Sequence, residues 1–436
     1  MSLRRHLQFA ALFLCLSSSA FATSGFDMKQ LSSLFDLNQR GKAYQYASQY
    51  LAEQEGDPYF DYYYGVSAID SGFASQGVFA LERVLLAFPE DPVARLELAR
   101  GYFILQEYAR SKQEFETVLE TDPPDGVRDT ADLYLDKIRL EESRYKTTVS
   151  GSVELGAGYD TNVNSAPSGS FNSAAGTSST KLEDNFYNLF GAVKVVHPFS
   201  PGWKVNVSAS GALKKNQDES QFDTLTATLQ TGLSLASESS LYNLDFVAQE
   251  FQLDGDSYRQ LLGLNLGWRY DLSEQSNFTT SLQYAQLTYD IFPILDSNLY
   301  TLNVGYTRQF SVSMAPVFFS SLKLGMEDAK SNNVVAQANT ERAIYSLRLG
   351  IALSLSPKFI LQTAAGIQNS QYKGDNAEIG DDKREDNFIN ADLNLLWLIS
   401  HKWRLDTRLA YVDNSSNSDI REYNRWLASI NLNYNF

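Results

Sequence analysis

His197 and His401 are the only histidines beyond His6, so any imidazole chemistry in this chain runs through one of them. Each stands beside a short turn signal, Pro198 to Gly202 for the first and Ser400 to Lys402 for the second. A zinc site, or a nucleophile activated by a base, needs partners that converge on the imidazole, and neither segment supplies them. Both read as polar side chains at an interface. A third candidate is acidic: Asp375, Glu378, Asp381, Asp382, Glu385 and Asp386 crowd one stretch. It could attract divalent cations, but the spaced ligands of a calcium loop are missing, so a solvated loop is expected. No catalytic residue, metal site or cofactor is expected, and the chain does not read as an enzyme.

The remaining charge chemistry is acidic and dispersed. The 436 residues carry 52 Asp and Glu against 36 Lys and Arg, a net charge of −16. Nucleic-acid binding needs a basic surface, so that partner class is set aside. Residues 1–22 read as a secretory signal: Arg4 and Arg5, an apolar stretch from Phe9 to Leu16, and Ala20-Phe21-Ala22 as a small-x-small cleavage site. Cys15, the single cysteine, lies inside that stretch behind Leu12-Phe13-Leu14, where a lipidation site needs small residues. After cleavage no thiol or disulfide chemistry remains.

Residues 23–145 carry a helical period that repeats. Pro58 and Pro92 stand 34 residues apart, as do Pro89 and Pro123. In that frame Gly65 matches Ala99, Gly77 matches Ser111, Leu81 matches Phe115 and Leu85 matches Leu119. A 34-residue period with small residues at helix crossings is the tetratricopeptide pattern. Stacked repeats leave a groove for an extended client. The frame assigns it Tyr59, Tyr62, Val66, Ile69, Val93, Leu96, Arg100 and Phe103. One more amphipathic helix, through Ala131, Tyr134, Leu135 and Ile138, reads as a cap.

From Lys146 the period switches to two, over residues 146–436. Trp203, Val205, Val207 and Ala209 alternate with Lys204, Asn206, Ser208 and Ser210, and Leu262 to Tyr270 alternates likewise. The last strand alternates Trp426, Ala428, Ile430, Leu432, Tyr434 and Phe436 with Leu427, Ser429 and three asparagines. Charges at every second position suit a wet lumen and not a dry core. Lys204, Asp245, Arg269, Lys323, Arg348, Asp392, Arg404, Asp406 and Arg408 are assigned to that lumen, and a shared strand face allows Arg404, Asp406 and Arg408 to form one network. Short and long connections alternate along about fourteen such strands, as in a transmembrane up-and-down barrel. The expected class is two-domain α + β: tetratricopeptide-type helical repeats in the periplasm, then an antiparallel barrel in the outer membrane of a Gram-negative cell. Surrounding lipid and the barrel assembly machinery are its expected partners, and a monomer is expected.

The order of repeats, Pro123-Pro124, a helix carrying Tyr134 to Ile138, and a first strand ending Gly158-Tyr159-Asp160-Thr161-Asn162-Val163-Asn164 resembles the surface lipoprotein assembly modifier family. That resemblance implies a fourteen-stranded barrel and passage of a lipoprotein or related effector protein to the cell surface. It implies a repeat groove that receives the client, and a barrel that opens between its first and last strands. Tyr159, Asp160, Asn162, Asn164, Tyr434 and Phe436 would flank that seam. Two other readings share the architecture: a polysaccharide-secretion porin, and a passive porin with an accessory periplasmic domain.

Overall fold

The computed structural model describes residues 25–167, 171–172, 178–375 and 382–436. Residues 1–22, expected to be a signal segment, and Glu378 and Asp381 of the acidic stretch lie outside them. The chain forms two compact units, one ending at Tyr134 and one beginning at Leu135.

The first unit is helical: α1 (Met28–Asp36), α2 (Arg40–Ser48), α3 (Leu51–Gln54), α4 (Pro58–Asp70), α5 (Ala74–Ala87), α6 (Pro92–Ile104) and α7 (Tyr108–Glu120), with α8 (Asp125–Glu142) crossing the boundary. The 34-residue frame is visible in the caps. Asp57 accepts from the Phe60 amide with Pro58 in the first turn, and Asp91 accepts from Val93 and Ala94 with Pro92 in the same place. A short carboxylate satisfies an orphan amide there, and proline costs nothing where no helical N–H is needed. Val66, Ile69, Val78, Leu81, Val84, Leu98 and Tyr102 form one core, and Leu31, Ala43, Ala47, Phe60, Tyr64 and Ala80 a second. The fully buried Asp61 is held by Arg83 at 2.6 and 2.8 Å, so its charge is compensated inside the stack.

The small residues of the frame meet one another. Gly77 approaches the Gly65 carbonyl, and one period later Ser111 Oγ donates to the Ala99 carbonyl at 2.8 Å. A Cβ on Gly77 would strike that carbonyl and the Ile69 side chain. Gly77→Ala is therefore expected to destabilise the repeats by about 1–3 kcal/mol through overpacking. Circular dichroism at 222 nm on the purified chain should show the helical transition move down by several degrees; an unchanged transition would contradict the close crossing.

The second unit is a closed antiparallel barrel of fourteen strands. They are β1 (Thr148–Asp160), β2 (Asp184–Ser200), β3 (Trp203–Asn216), β4 (Thr224–Ala236), β5 (Ser240–Leu253), β6 (Asp256–Ser273) and β7 (Ser276–Tyr289). There follow β8 (Ser297–Gln309), β9 (Val317–Ala329), β10 (Arg342–Ser356), β11 (Phe359–Asp375), β12 (Lys383–Leu398), β13 (Trp403–Ser416) and β14 (Tyr423–Asn435). Each pairs with its sequence neighbours, and β1 pairs with β14. Leu262, Leu264 and Leu266 lie exposed on the outer wall, while Gly263, Asn265 and Gly267 face inward. No described helix is long and apolar enough to cross a membrane, and the apolar outer wall is the surface that suits lipid.

The end where β1 begins and β14 ends is called the base, and the opposite end the rim. Rim connections are mostly long and base turns short, with two departures. At the rim, β5 and β6 are joined by Asp254-Gly255 alone, with φ of 54° and 85°. Two left-handed residues make the type I′ turn that Asp-Gly favours. At the base, β8 and β9 are joined by residues 310–316. A short helix, α9 (Val334–Thr340), capped by Asn333, fills the β9–β10 rim connection.

Candidate functional site

The β1–β14 seam is where the family-like motif sits, and its backbone ladder is the shortest in the barrel. Its register runs over nine pairs, from Ser152↔Asn435 to Asp160↔Leu427. The next shortest ladder, β9–β10, has eleven, and β1–β2 has thirteen. At the base Gly151 and Phe436 exchange two backbone hydrogen bonds, at 2.9 and 3.0 Å. At the rim the Thr161 amide donates to the Trp426 carbonyl at 3.0 Å.

Above that rim pair, short polar side chains tie the seam shut from the lumen side. Asp160 is 0% exposed. Its carboxylate accepts from Arg425 Nε on β14 at 2.7 Å, from Arg425 Nη2, and from Lys214 Nζ on β3 at 2.9 Å. Asn162, also 0% exposed, donates from Nδ2 to the Ala166 and Asn424 carbonyls at 2.9 and 3.0 Å. Its Oδ1 accepts from the Ala166 amide at 2.8 Å. Asn164 accepts from the Leu182 amide and donates to the Thr180 carbonyl. Asparagine and aspartate are suited to this because their side chains reach nearby backbone without a long flexible stem. The outer side of the seam is different in kind. Tyr159 is exposed there; Trp426 packs on Tyr411 at 4.7 Å near the rim, and Tyr434 on Trp403 at 4.8 Å near the base, with Phe436 beyond it.

Removing the buried acid while keeping its two cations should be costly, because charge-assisted hydrogen bonds vanish and the cations stay. Asp160→Ala is expected to lose about 3 kcal/mol, the lower end for a broken buried pair, since Lys214 and Arg425 retain some water. The readout is the temperature at which the folded barrel converts to the slower-migrating unfolded band on a gel. An unchanged temperature would contradict the latch.

The nine assigned lumen charges all occupy inward positions of the register. Five of them fall into two networks. Asp392 on β12 receives Arg348 of β10 at 2.5 Å and Arg408 of β13 at 3.7 Å. Asp406 receives Arg404 at 2.7 Å and Asn433 of β14 at 2.9 Å. The expected single network of Arg404, Asp406 and Arg408 is thus corrected: across neighbouring strands Arg408 meets Asp392 instead. Arg269 pairs with Asp271 at 2.8 Å. Lys204 is half-buried, Asp245 buried and Lys323 exposed.

The assigned groove is also trimmed. Val66 and Ile69, both 3% exposed, belong to the repeat core, and Leu96 is buried too. They pack against the neighbouring helices and cannot line a groove. Tyr59 and Val93 are exposed, while Tyr62, Arg100 and Phe103 are half-buried. Arg100 bridges Asp70 and Glu97, each at 2.6 Å. Phe103 meets Tyr134 edge-on at 5.1 Å. Burial, helped by Glu97 and Asp91, pushes the Tyr62 hydroxyl up to about 12, so it stays a neutral donor at physiological pH.

His197 Nδ1 lies 2.8 Å from Thr147 Oγ1, and His401 Nε2 lies 2.5 Å from Asp136 Oδ2. Among the described residues no cluster of His, Cys, Asp and Glu could hold a metal ion. Asp386, from the acidic stretch, accepts from Arg384 and from Ser416. Nothing in the local pattern of Lys214, Arg425 and Asn424 marks them as partners of a motif far away in sequence.

A family model described as "Surface lipoprotein assembly modifier" matches residues 150–436. A curated protein of Moraxella catarrhalis named "Surface lipoprotein assembly modifier" is 19% identical over 362 residues, covering 81% of this chain and 68% of its own length. Among solved structures, the outer membrane channel DcaP of Acinetobacter baumannii aligns with a TM-score of 0.41 at 12% identity, over 66% of this chain and 97% of that one. The Sgt2 TPR domain from Aspergillus fumigatus aligns with a TM-score of 0.24 at 17% identity, over 27% of this chain and 78% of that one.

Proposed function

Because the chain belongs to the surface lipoprotein assembly modifier family, we propose that it brings a lipoprotein client to the cell surface through its outer-membrane barrel. In this reading the repeats lie in the periplasm and hold the client by the exposed part of their groove, around Tyr59, Tyr62, Val93, Arg100 and Phe103. The base of the barrel faces the periplasm and the rim faces outward. The client leaves along the β1–β14 seam, using the barrel as a guide and not as a catalyst. The observation that carries this reading is the seam itself. It has the shortest ladder in the barrel and a polar latch around the buried Asp160.

An opened seam in lipid strands amides and carbonyls at several kcal/mol each. Opening is therefore favourable only when the client supplies a replacement edge, as a strand that pairs with β1 or β14. The test is protease shaving of intact cells that express a client lipoprotein with and without this chain. Client cut only when the chain is present supports the reading; equal cutting in both strains refutes it. Liposome swelling separates the passive-porin alternative, in which the purified barrel would conduct solutes steadily without any client.

A further inference from the structure

At the base, inside the second unit, lies a cavity of about 560 Å³ bounded by the end of α8, the first three strands and the β12–β13 turn. Its wall has an ordered chemistry. The register sets Ser150 of β1 opposite Lys194 of β2, and Lys194 opposite Ser208 of β3. One row further in, Ser152 and Ser210 flank Ala192 in the same way. A lysine thus stands between two serines in the register, and in the next row two more serines flank a small residue. Among the described residues no carboxylate pairs with Lys194. Arg139 also lines the cavity, and the one lining side-chain carboxylate, Asp136, is already engaged by His401 at 2.5 Å and by Arg139 at 2.9 Å.

We propose that this cradle, centred on Lys194 between Ser150 and Ser208, binds an acidic segment of the polypeptide client as it enters the barrel. This rests on the assembly reading above, which makes the cargo a protein. Hydroxyl donors and an ammonium without a carboxylate partner complement carboxylate oxygens. A cavity of this size takes several side chains of an extended chain and not one small ion. The position, on the wall strands that include one side of the seam, puts the anchored segment beside the exit.

The probe is a fluorescein-labelled hexaglutamate peptide, titrated by fluorescence anisotropy against the full chain in detergent, with hexalysine as control. Hexaglutamate binding that weakens with added salt, and no hexalysine binding, is expected. Lys194→Glu should weaken it about tenfold or more by reversing the central charge. The double variant Ser150→Ala, Ser208→Ala should weaken it about threefold with the charge intact. Gel mobility confirms that each barrel is folded, and Lys194→Gln provides a milder change if reversal disrupts it. Equal binding of hexalysine, or hexaglutamate binding indifferent to Lys194→Glu and Lys194→Gln, overturns the proposal. Client display on cells without hexaglutamate binding would remove the cradle and leave the assembly reading standing. Binding without display would keep the cradle as an acidic-peptide site and remove the assembly role.

Discussion

Deletion of residues 26–134 is expected to leave a folded, inserted barrel that no longer brings its client to the surface. The expectation follows from where each unit finds its stability. The repeats bury two apolar clusters of their own, and the barrel closes on itself through β1 and β14 without using any repeat residue. Cutting after Tyr134 also keeps Asp136, and with it the bond to His401. The deletion mutant should therefore still show the heat-dependent gel shift of a closed barrel. Display should fall to the level of cells lacking the chain, because the groove that would hold the client is gone. Normal display by a folded deletion mutant would remove the repeats from the mechanism.

The parts of this fold that were legible in sequence are those that a solvent imposes position by position. Lipid on one face and water on the other force a period of two, so Trp203 to Ser210 and Trp426 to Phe436 announce their strands, and the period gives a count of about fourteen. Helix crossings force small residues, so Gly65 with Gly77 and Ala99 with Ser111 announced the repeat through a fixed offset. The groove was only half legible. A helical period marks which residues of α4 are apolar, but α4 packs on several neighbours, so Val66 and Ile69 could not be told from groove residues by pattern. The latch was legible on one side alone. Asp160 and Asn162 stood out as a motif, whereas Arg425 lies 265 positions away and Lys214 54, in strands where a lumenal cation is ordinary. Rim loops obey no period, so the alternation of loop lengths did not hold at the two-residue turn that Asp254-Gly255 itself favours.

A second large effect is expected from joining the two strands of the seam. Ala157 and Ile430 face each other in the β1–β14 register, on the outer side, away from Asp160 and its partners. Antiparallel partners lie about 4.5–5.5 Å apart at Cα, within disulfide reach. The chain's only cysteine, Cys15, precedes the barrel strands in sequence, so an introduced pair has no competitor in the barrel. A covalent rung there leaves the fold, the latch and the repeats untouched and forbids only the separation of β1 from β14.

The measurement that tests the central claim most directly is protease shaving of client on cells carrying Ala157→Cys with Ile430→Cys, oxidised and then reduced. Display lost on oxidation and restored by reductant, with each single-cysteine variant behaving as wild type, is the predicted result. Full display from the oxidised, cross-linked barrel would contradict exit along the seam.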